Sequence, residues 1–543
     1  MSHKTYLGAL LGLGLLCIGT GALWAEDNDG LIIKIKPQFA NALNTVSSLK
    51  QLNQECQVKE IVPIDQANGV YQLRLCKEQN IDSAMAKYQI RPELDYVEIN
   101  RALDPEPMHP VVGTPLSTQS LETNSIVKVS NAPEAKQRIT VAVVDSGVDY
   151  THPLLKNGLW VNPGEDLNHS GKIDPEEINS SDDDGDGYVD DFYGANVCSL
   201  TGSSGNPMDE YGHGTHVAGI VLQNALNKSG ENTAEIMAVR FLNANGSGYL
   251  ADGVKAIDYA IKHGAKIINC SWGYSYSSSS LSNVMQKAED QGVQVVCAAG
   301  NYNSETPLYP AYVAHAIAVA ALDKSGHKAS FSNYGADVDL AAEGVSIYSS
   351  YLNNQYATLS GTSMASPKVA GILALAWASK PELSASALWQ AVQASAVDIT
   401  DPLHDGSSYV GKDKYTGYGT LSVDSLLSEL GTSSPVAVAS TTTTTLSNLM
   451  NYPNPITAGA ATTFGFQSDN SVDVTVRVYT LRGKLVRQFN TSKSPVSSYI
   501  KVSYDCTDDS GRRLPMDVYL YQVQALDSAG ILASGIGKMV VLN

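Results

Sequence analysis

Apolar and polar positions change their period along this chain, and each change marks a different kind of structure. Residues 7–18 form one unbroken apolar run behind Lys4. Residues 31–36 alternate, the period of a half-buried strand. A helical stretch near 40–52 follows. Alternating runs over 58–64 and 70–75 meet at an Asn68-Gly69 turn, and a helix over 81–88 leads into a strand over 95–102. That β-α-β-β-α-β order predicts an α+β, ferredoxin-like unit. From Ile139 the apolar runs become short and unbroken, at 139–144, 235–242, 266–270, 293–299 and 316–321. Helical periods fill 213–226, 250–263, 280–291, 363–379 and 384–396. Unbroken runs alternating with helices predict an α/β region, a doubly wound parallel sheet covered on both faces. Near the C-terminus, runs at 472–479, 484–489, 498–504, 518–525 and 536–542 are separated by Gly, Asn and Asp turns, predicting an all-β sandwich.

Punctuation between these regions sets the domain boundaries. The Pro-rich stretch 104–115 reads as an exposed linker, and 431–447, with Thr441 to Thr445, as a flexible tether. The expected organisation is a signal peptide (1–25), an N-terminal α+β unit (26–105), a linker and processing region (106–125), the α/β domain (126–430), the tether (431–447) and the sandwich (448–543). The export reading rests on Lys4, the apolar run and Leu23-Trp24-Ala25. That run is shorter than the ~20 residues of a membrane span. Lipidation of Cys17 would require a small residue where Leu16 stands. The expectation is therefore a secreted protein without a transmembrane segment in its mature form.

Composition narrows the partners. A hydrophobic content of 43% with 17% charged residues suits globular domains. A net charge of -19 argues against nucleic acid, which needs clustered Lys and Arg. Seven cysteines, one of them inside the signal, are too few for a disulfide scaffold. Cys56 and Cys76 flank the 58–75 hairpin, so a disulfide between them is expected. Cys270 and Cys297 end apolar strands and read as buried thiols.

Three runs carry the chemistry: Val143-Val144-Asp145-Ser146-Gly147, Gly212-His213-Gly214-Thr215-His216-Val217-Ala218-Gly219 and Gly361-Thr362-Ser363-Met364-Ala365-Ser366-Pro367. They supply a carboxylate, an imidazole and a hydroxyl, the groups that nucleophilic acyl transfer needs together. Taken singly, each has a bland reading: an Asp capping a turn, a core histidine, a serine capping a helix. Asp145 follows a strand, where a side chain projects from the carboxyl edge of a sheet. Ser363 opens a helix, and Pro367 requires that helix to be still in its first turn. A zinc site at His213 and His216 lacks a third ligand and a Glu at motif spacing.

Taken together the runs resemble the subtilases, the subtilisin-like serine proteases. The order Asp…His…Ser differs from the chymotrypsin and α/β-hydrolase orders. The resemblance implies Asp145 as orienting carboxylate, His213 as base, Ser363 as nucleophile and Asn301, in Ala298-Ala299-Gly300-Asn301, as oxyanion donor. It leaves His216 to structure. It implies that Gly246, Ser247, Gly248 and Ser271, Trp272, Gly273 pair with an extended peptide substrate. Trp272 replaces a smaller aliphatic residue of many relatives, and neither segment has the acidic cluster of strict dibasic cleavage. The N-terminal unit resembles the family's inhibitory propeptide, an intramolecular partner whose last strand enters the cleft. Asn451-Tyr452-Pro453-Asn454-Pro455, the 508–513 turn and Val518-Tyr519-Leu520-Tyr521 resemble FlgD-type immunoglobulin-like modules, which implies contact with a cell surface or a secretion system.

The insert between Asp145 and His213 points to calcium. Asp166, Asn168, Ser170, Lys172 (through its carbonyl), Asp174 and Glu177 occupy the ligand positions of an EF-hand loop, with Gly171 at its turn. Asp182, Asp184, Asp186, Tyr188 (carbonyl) and Asp190 repeat the pattern, but Tyr193 stands where the bidentate Glu belongs. Structural Ca²⁺ is the expected cofactor. The main expectation is a secreted, self-processing serine endopeptidase with peptide and protein substrates. The alternatives are a calcium-stabilised surface adhesion protein with a subtilase-like domain, and a processing protease of narrow specificity.

Overall fold

The computed structural model describes residues 30–39, 47–76, 79–103, 137–174, 176–399, 411–432, 446–452, 456, 461–468, 472–480, 485–494, 499–508, 511–527 and 532–542. The expected signal peptide, the 106–125 linker and most of the 431–447 tether lie outside them. Two compact units divide at Thr432/Ser433.

The first unit begins with β1 (Leu31–Ile35), α1 (Ser47–Glu55), β2 (Val58–Asp65), β3 (Val70–Leu75), α2 (Ile81–Gln89), β4 (Leu94–Ile99) and a short β5 (Ala102–Leu103). The first four strands form an antiparallel sheet in the order β2-β3-β1-β4, the β-α-β-β-α-β arrangement that the alternation predicts. Leu31, Ile33, Ile35, Leu73 and Tyr88 fill its core. The expected disulfide is not there: Cys56 and Cys76 are both free. The hairpin register sets Cys76 against Gln57, whose carbonyl accepts its N–H, while Cys56 turns into the core beside Leu52 and Leu73.

The second part of this unit is β6 (Ile139–Asp145), α3 (His213–Asn224), β7 (Ala234–Arg240), β8 (Gly248–Tyr249), α4 (Leu250–Lys262), β9 (Ile267–Cys270), α5 (Ser279–Asp290), β10 (Gln294–Ala298), β11 (Ala316–Leu322), β12 (Leu340–Glu343), β13 (Ile347–Tyr351), β14 (Gln355–Leu359), α6 (Thr362–Ser379), α7 (Ala385–Ser395) and α8 (Val423–Thr432). Six strands make one parallel sheet, ordered β12-β11-β10-β9-β6-β7. Side chains alternate across it: Val141 and Val143 face the core under α3 and α6, Ala142 and Val144 the core under α4 and α5. Nearly all of α6 is buried, which explains an apolar run with no polar stripe. The chain leaves β6 for β7 on one side and builds β9 to β12 on the other, so the order reverses at β6. Sites in open α/β sheets lie at such a reversal, beyond the strands' carboxyl ends.

The second unit contains a three-stranded sheet, β15 (Leu446–Tyr452), β16 (Thr462–Ser468) and β19 (Tyr499–Tyr504), and a four-stranded one, β17 (Val472–Thr480), β18 (Leu485–Ser494), β20 (Asp517–Asp527) and β21 (Leu532–Val541). Both are antiparallel, and Phe464, Val476, Val502, Tyr521 and Val523 share one core. It is an all-β sandwich.

Candidate active site

Asp145 ends β6 and is fully buried. Its Oδ1 accepts the Ser146 N–H at 2.7 Å, and its two oxygens lie 2.8 and 3.0 Å from His213 Nδ1. A carboxylate only accepts, so Nδ1 carries the proton and Nε2 is the basic atom of the ring. His213 is the first residue of α3, and glycines set its approach. Gly214 donates its N–H to Ser146 Oγ at 2.9 Å, and a Cβ there would stand 2.1 Å from the Gly147 carbonyl oxygen. Gly212 has φ +99, and a Cβ on it would meet the Tyr351 ring at 2.5 Å.

A buried aspartate unmarked in the motif reading fixes the start of this helix. Asp209 Oδ1 accepts the N–H groups of Tyr211 and Gly212, and Oδ2 accepts the Thr215 N–H and hydroxyl, all at 2.6–2.9 Å. Burial raises its carboxyl above the usual range in spite of these bonds. The signal was in the chain, because Asp two residues ahead of Tyr211-Gly212 has Asx-turn spacing. His216, left to structure by the sequence, is fully buried with Nε2 3.0 Å from the Ala357 carbonyl; burial pushes it down to about 3, so it is neutral.

Ser363 is the second residue of α6 and is buried. Its Oγ donates to the Ser271 carbonyl at 3.1 Å, and Ser271 Oγ donates to the Ser363 carbonyl at 2.9 Å. The second bond explains Pro367. That residue lies just past the first turn expected for it, and without an N–H it leaves the Ser363 carbonyl lacking its helical donor. The Ser271 hydroxyl fills the place.

Asn301 follows β10 across Gly300. Its Oδ1 accepts the Thr362 N–H at 2.9 Å and hydroxyl at 3.1 Å, so the amide nitrogen faces away from Thr362. A Cβ on Gly361 would sit 3.4 Å from Asn301 Nδ2 and 3.6 Å from the Ser363 nitrogen. The glycine therefore keeps a space open between two N–H donors at the start of α6. Asn333, which carried no sequence signal, holds the loop behind. It is fully buried; its Oδ1 accepts the N–H groups of Tyr302 and Ser304 at 2.9 and 3.0 Å, and its Nδ2 donates to the Ala299 and Thr306 carbonyls at 3.1 Å.

The two expected substrate segments flank this edge. Gly246 makes a left-handed turn (φ +77) closed on Asn243, followed by Ser247. Gly248 lies in β8, where β5 occupies the pairing positions: Leu103 opposite Gly248, Ala102 opposite Tyr249, antiparallel. Ser271, Trp272 and Gly273 follow β9 and are buried. The Trp272 indole packs on Phe241 at 4.9 Å and over Gly253, in the apolar cluster that also buries Leu103 and Leu250. Gly253 provides the room for the larger ring.

The 158–197 insert runs along the free edge of β7, through Trp160 to Ile236, Ala238 to Tyr193 and Val197 to Arg240 backbone bonds. Hydrogen bonds tie the six residues of its first acidic loop into one turn, although the Asp166, Asp174 and Glu177 carboxylates do not close to within 4.8 Å of one another. Asp166 accepts the N–H groups of Ser170 and Gly171, Glu177 those of Asn168 and Asp174, Asn168 Nδ2 donates to Asp174, and the Ser170 hydroxyl donates to the Lys172 carbonyl. In the second, Asp182 accepts from Gly185, Asp186 and Gly187, Asp184 from Asp186, and Asp186 from Tyr188. Asp190 is set apart: its two oxygens accept the Asn179 and Ser180 N–H groups. The oxygen-only donor sets suit a hard cation.

The subtilase family profile matches residues 136–419, just over half of the chain. The chain belongs to the subtilase family. It is a subtilisin-like serine endopeptidase. It is 35% identical over 354 residues to the thermophilic serine proteinase of Bacillus sp. (strain AK1), covering 64% of this chain and 77% of that protein. It is 36% identical to thermitase of Thermoactinomyces vulgaris (51% of this chain, 86% of thermitase) and 40% identical to subtilisin DY of Bacillus licheniformis (39% and 79%). No helix among the described residues is long and apolar enough to cross a membrane.

Proposed function

We propose that this endopeptidase cleaves peptide bonds through Asp145, His213 and Ser363, with Asn301 holding the oxyanion. The observation that carries the reading is the buried Asp145–His213 pair, at the same sheet edge as the Gly361 opening between Asn301 Nδ2 and the Ser363 N–H. In this reaction Ser363 Oγ attacks the peptide carbonyl while His213 Nε2 takes its proton, and Asp145 stabilises the imidazolium that forms. The carbonyl oxygen becomes an anion between the two N–H donors. His213 then gives its proton to the leaving amine, and water releases the acyl group by the same route. An extended substrate adds as a strand to 246–248 and 271–273. A broad endopeptidase specificity fits the absence of an acidic cluster in those segments.

The N-terminal unit is read as an inhibitory propeptide. Three contacts support this beside the β5–β8 pairing. The Glu98 carboxylate accepts the Ser278 hydroxyl, the Ser279 and Ser280 N–H groups and the Ser280 hydroxyl at the start of α5. Asn100 Oδ1 accepts the Ala251 N–H in the first turn of α4 at 2.9 Å. Lys287 of α5 pairs with Asp65 at 3.2 Å. Anions and acceptors are favoured at helix N-termini, so these contacts seat the unit over the cleft until self-cleavage beyond Leu103 releases it. Residues 1–25 direct export, and the C-terminal module, of FlgD-type immunoglobulin-like character, attaches the enzyme to a surface or a secretion system. Calcium in the two acidic loops is structural, and at ~100 times Kd each ion adds ~2.7 kcal/mol.

The test is casein hydrolysis and self-processing by the purified chain and by Ser363→Ala. The variant is expected to remain unprocessed and inactive. Processing and hydrolysis at the wild-type rate would overturn the assignment.

A further inference from the structure

We propose that Glu165, Asp184 and Asp191 together bind one further calcium ion, which pins the 158–197 insert to the catalytic sheet. The site is distinct from the two acidic loops and shares only Asp184 with them; it deepens the calcium reading given above. A carboxylate oxygen of each of the three residues lies within 4.8 Å of one from each of the others. Calcium takes oxygen ligands at about 2.3–2.6 Å, so oxygens with that mutual spacing fit around a single ion.

Burial makes the case stronger than spacing alone. Glu165 and Asp191 are both 0% exposed. Glu165 Oε1 accepts the Asp183 N–H at 3.0 Å, whereas its Oε2 is buried with no hydrogen-bond partner among the described residues. An ionised carboxylate out of water is costly unless paired, and two more carboxylates beside it raise that cost. Among the described residues no Lys or Arg forms a salt bridge with any of the three. The nearest basic group, His263, lies 3.6 Å from Asp184 and 3.3 Å from Asp186, on the side of the second loop.

The remaining oxygens are held by groups that orient ligands. Asn162 Nδ2 donates to Asp184 Oδ2 at 3.0 Å and to Asp191 Oδ1 at 2.8 Å, and its own Oδ1 is fixed by the Gly164 N–H. The Tyr259 hydroxyl, on α4, donates to Asp191 Oδ2. Such outer hydrogen bonds set the orientation of metal-binding carboxylates. The all-oxygen set excludes a preference for soft metals, and ligands from three separate turns suit the flexible calcium shell better than the octahedron of magnesium. One ion here joins the turn after Asn162, the second acidic loop and the strand-like segment that pairs with β7.

The experiment counts bound calcium by calorimetry on the full chain in the Ser363→Ala background, after chelator depletion. Glu165→Gln is expected to bind about one ion fewer than its parent, with a smaller calcium-induced rise in Tm. A full calcium count with an unchanged Tm shift in Glu165→Gln would overturn the site. Asp166→Asn and Asp182→Asn report on the two loops separately. If they leave the count intact while Glu165→Gln lowers it, the loop reading fails and this one stands. Should Glu165→Gln fail to fold, terbium emission excited through tyrosine decides. It is expected to drop in Tyr259→Phe, and unchanged emission contradicts the site.

Discussion

Asn301 presents its amide nitrogen because Thr362 occupies its oxygen, and the backbone around it stands where Asn333 holds it. Asn333 touches no reacting atom, so its contribution is placement. Misplacing a donor by about 1 Å costs up to roughly 10²-fold in rate. Asn333→Ala is therefore expected to lower kcat by at least about tenfold while KM stays within about twofold; a rise in KM with kcat intact would refute the placement role. Removing the Asn301 side chain itself should cost roughly 10²–10³ in kcat, a magnitude established on subtilisin. His216 bears on stability instead. Its folded value, about 3, lies below the ordinary 6.5, so the unfolded chain binds the proton first. Stability is complete at neutral pH and drains away as pH falls from about 6.5 toward 3. For one such group the loss between pH 7 and 5 is about 2 kcal/mol. Urea unfolding of Ser363→Ala at both pH values, with and without His216→Gln, measures it. An identical acid loss in both proteins would show that His216 is not responsible.

Among the elements, β5 has the largest consequence for its size. Its two residues add a strand to β8, and Leu103, 2% exposed, enters the cluster with Leu242, Leu250 and Trp272. Burying a leucine is worth about 1.5–3 kcal/mol. Residues 30–103 supplied in trans should inhibit the processed enzyme, and Leu103→Asp should weaken that inhibition by at least about tenfold. Equal inhibition by both would disprove the strand reading. Most strands and helices foreseen from periodicity appear within about five residues of their expected bounds, because each buries a continuous apolar face. The helix expected over 40–52 is described only from Ser47 to Glu55, residues 40–46 lying outside the described ones. The elements missed have weaker faces. β12 is Leu-Ala-Ala-Glu, the β13–β14 hairpin is rich in Ser and Tyr, and β16 carries Thr, Gly and Ser among its seven residues. The Cys56–Cys76 expectation failed by one residue of register, which proximity in sequence does not resolve.

For the whole molecule, the reversal of strand order at β6 decides where chemistry can occur. It leaves the ends of β6, β9 and β10 side by side, and those ends carry Asp145, Ser271 and Asn301. The motif residues were legible as a set because three separate runs agree. Of their supports, Asp209 showed only the local Asx-turn spacing ahead of Tyr211-Gly212. Asn333 showed nothing, since its buried hydrogen bonds to distant backbone leave no period and no motif. The acidic insert was legible as two loops, but the meeting of Glu165 with Asp184 and Asp191 depends on how the insert folds back along β7.

The central claim is that Ser363 is a nucleophile activated by the Asp145–His213 pair, and covalent labelling tests it most directly. The processed enzyme, treated with a serine-directed fluorophosphonate and digested, is expected to carry the adduct on the peptide containing Ser363, with labelling slowed at least about 10³-fold in His213→Ala. An adduct on another residue, or undiminished labelling without the imidazole, would contradict the account.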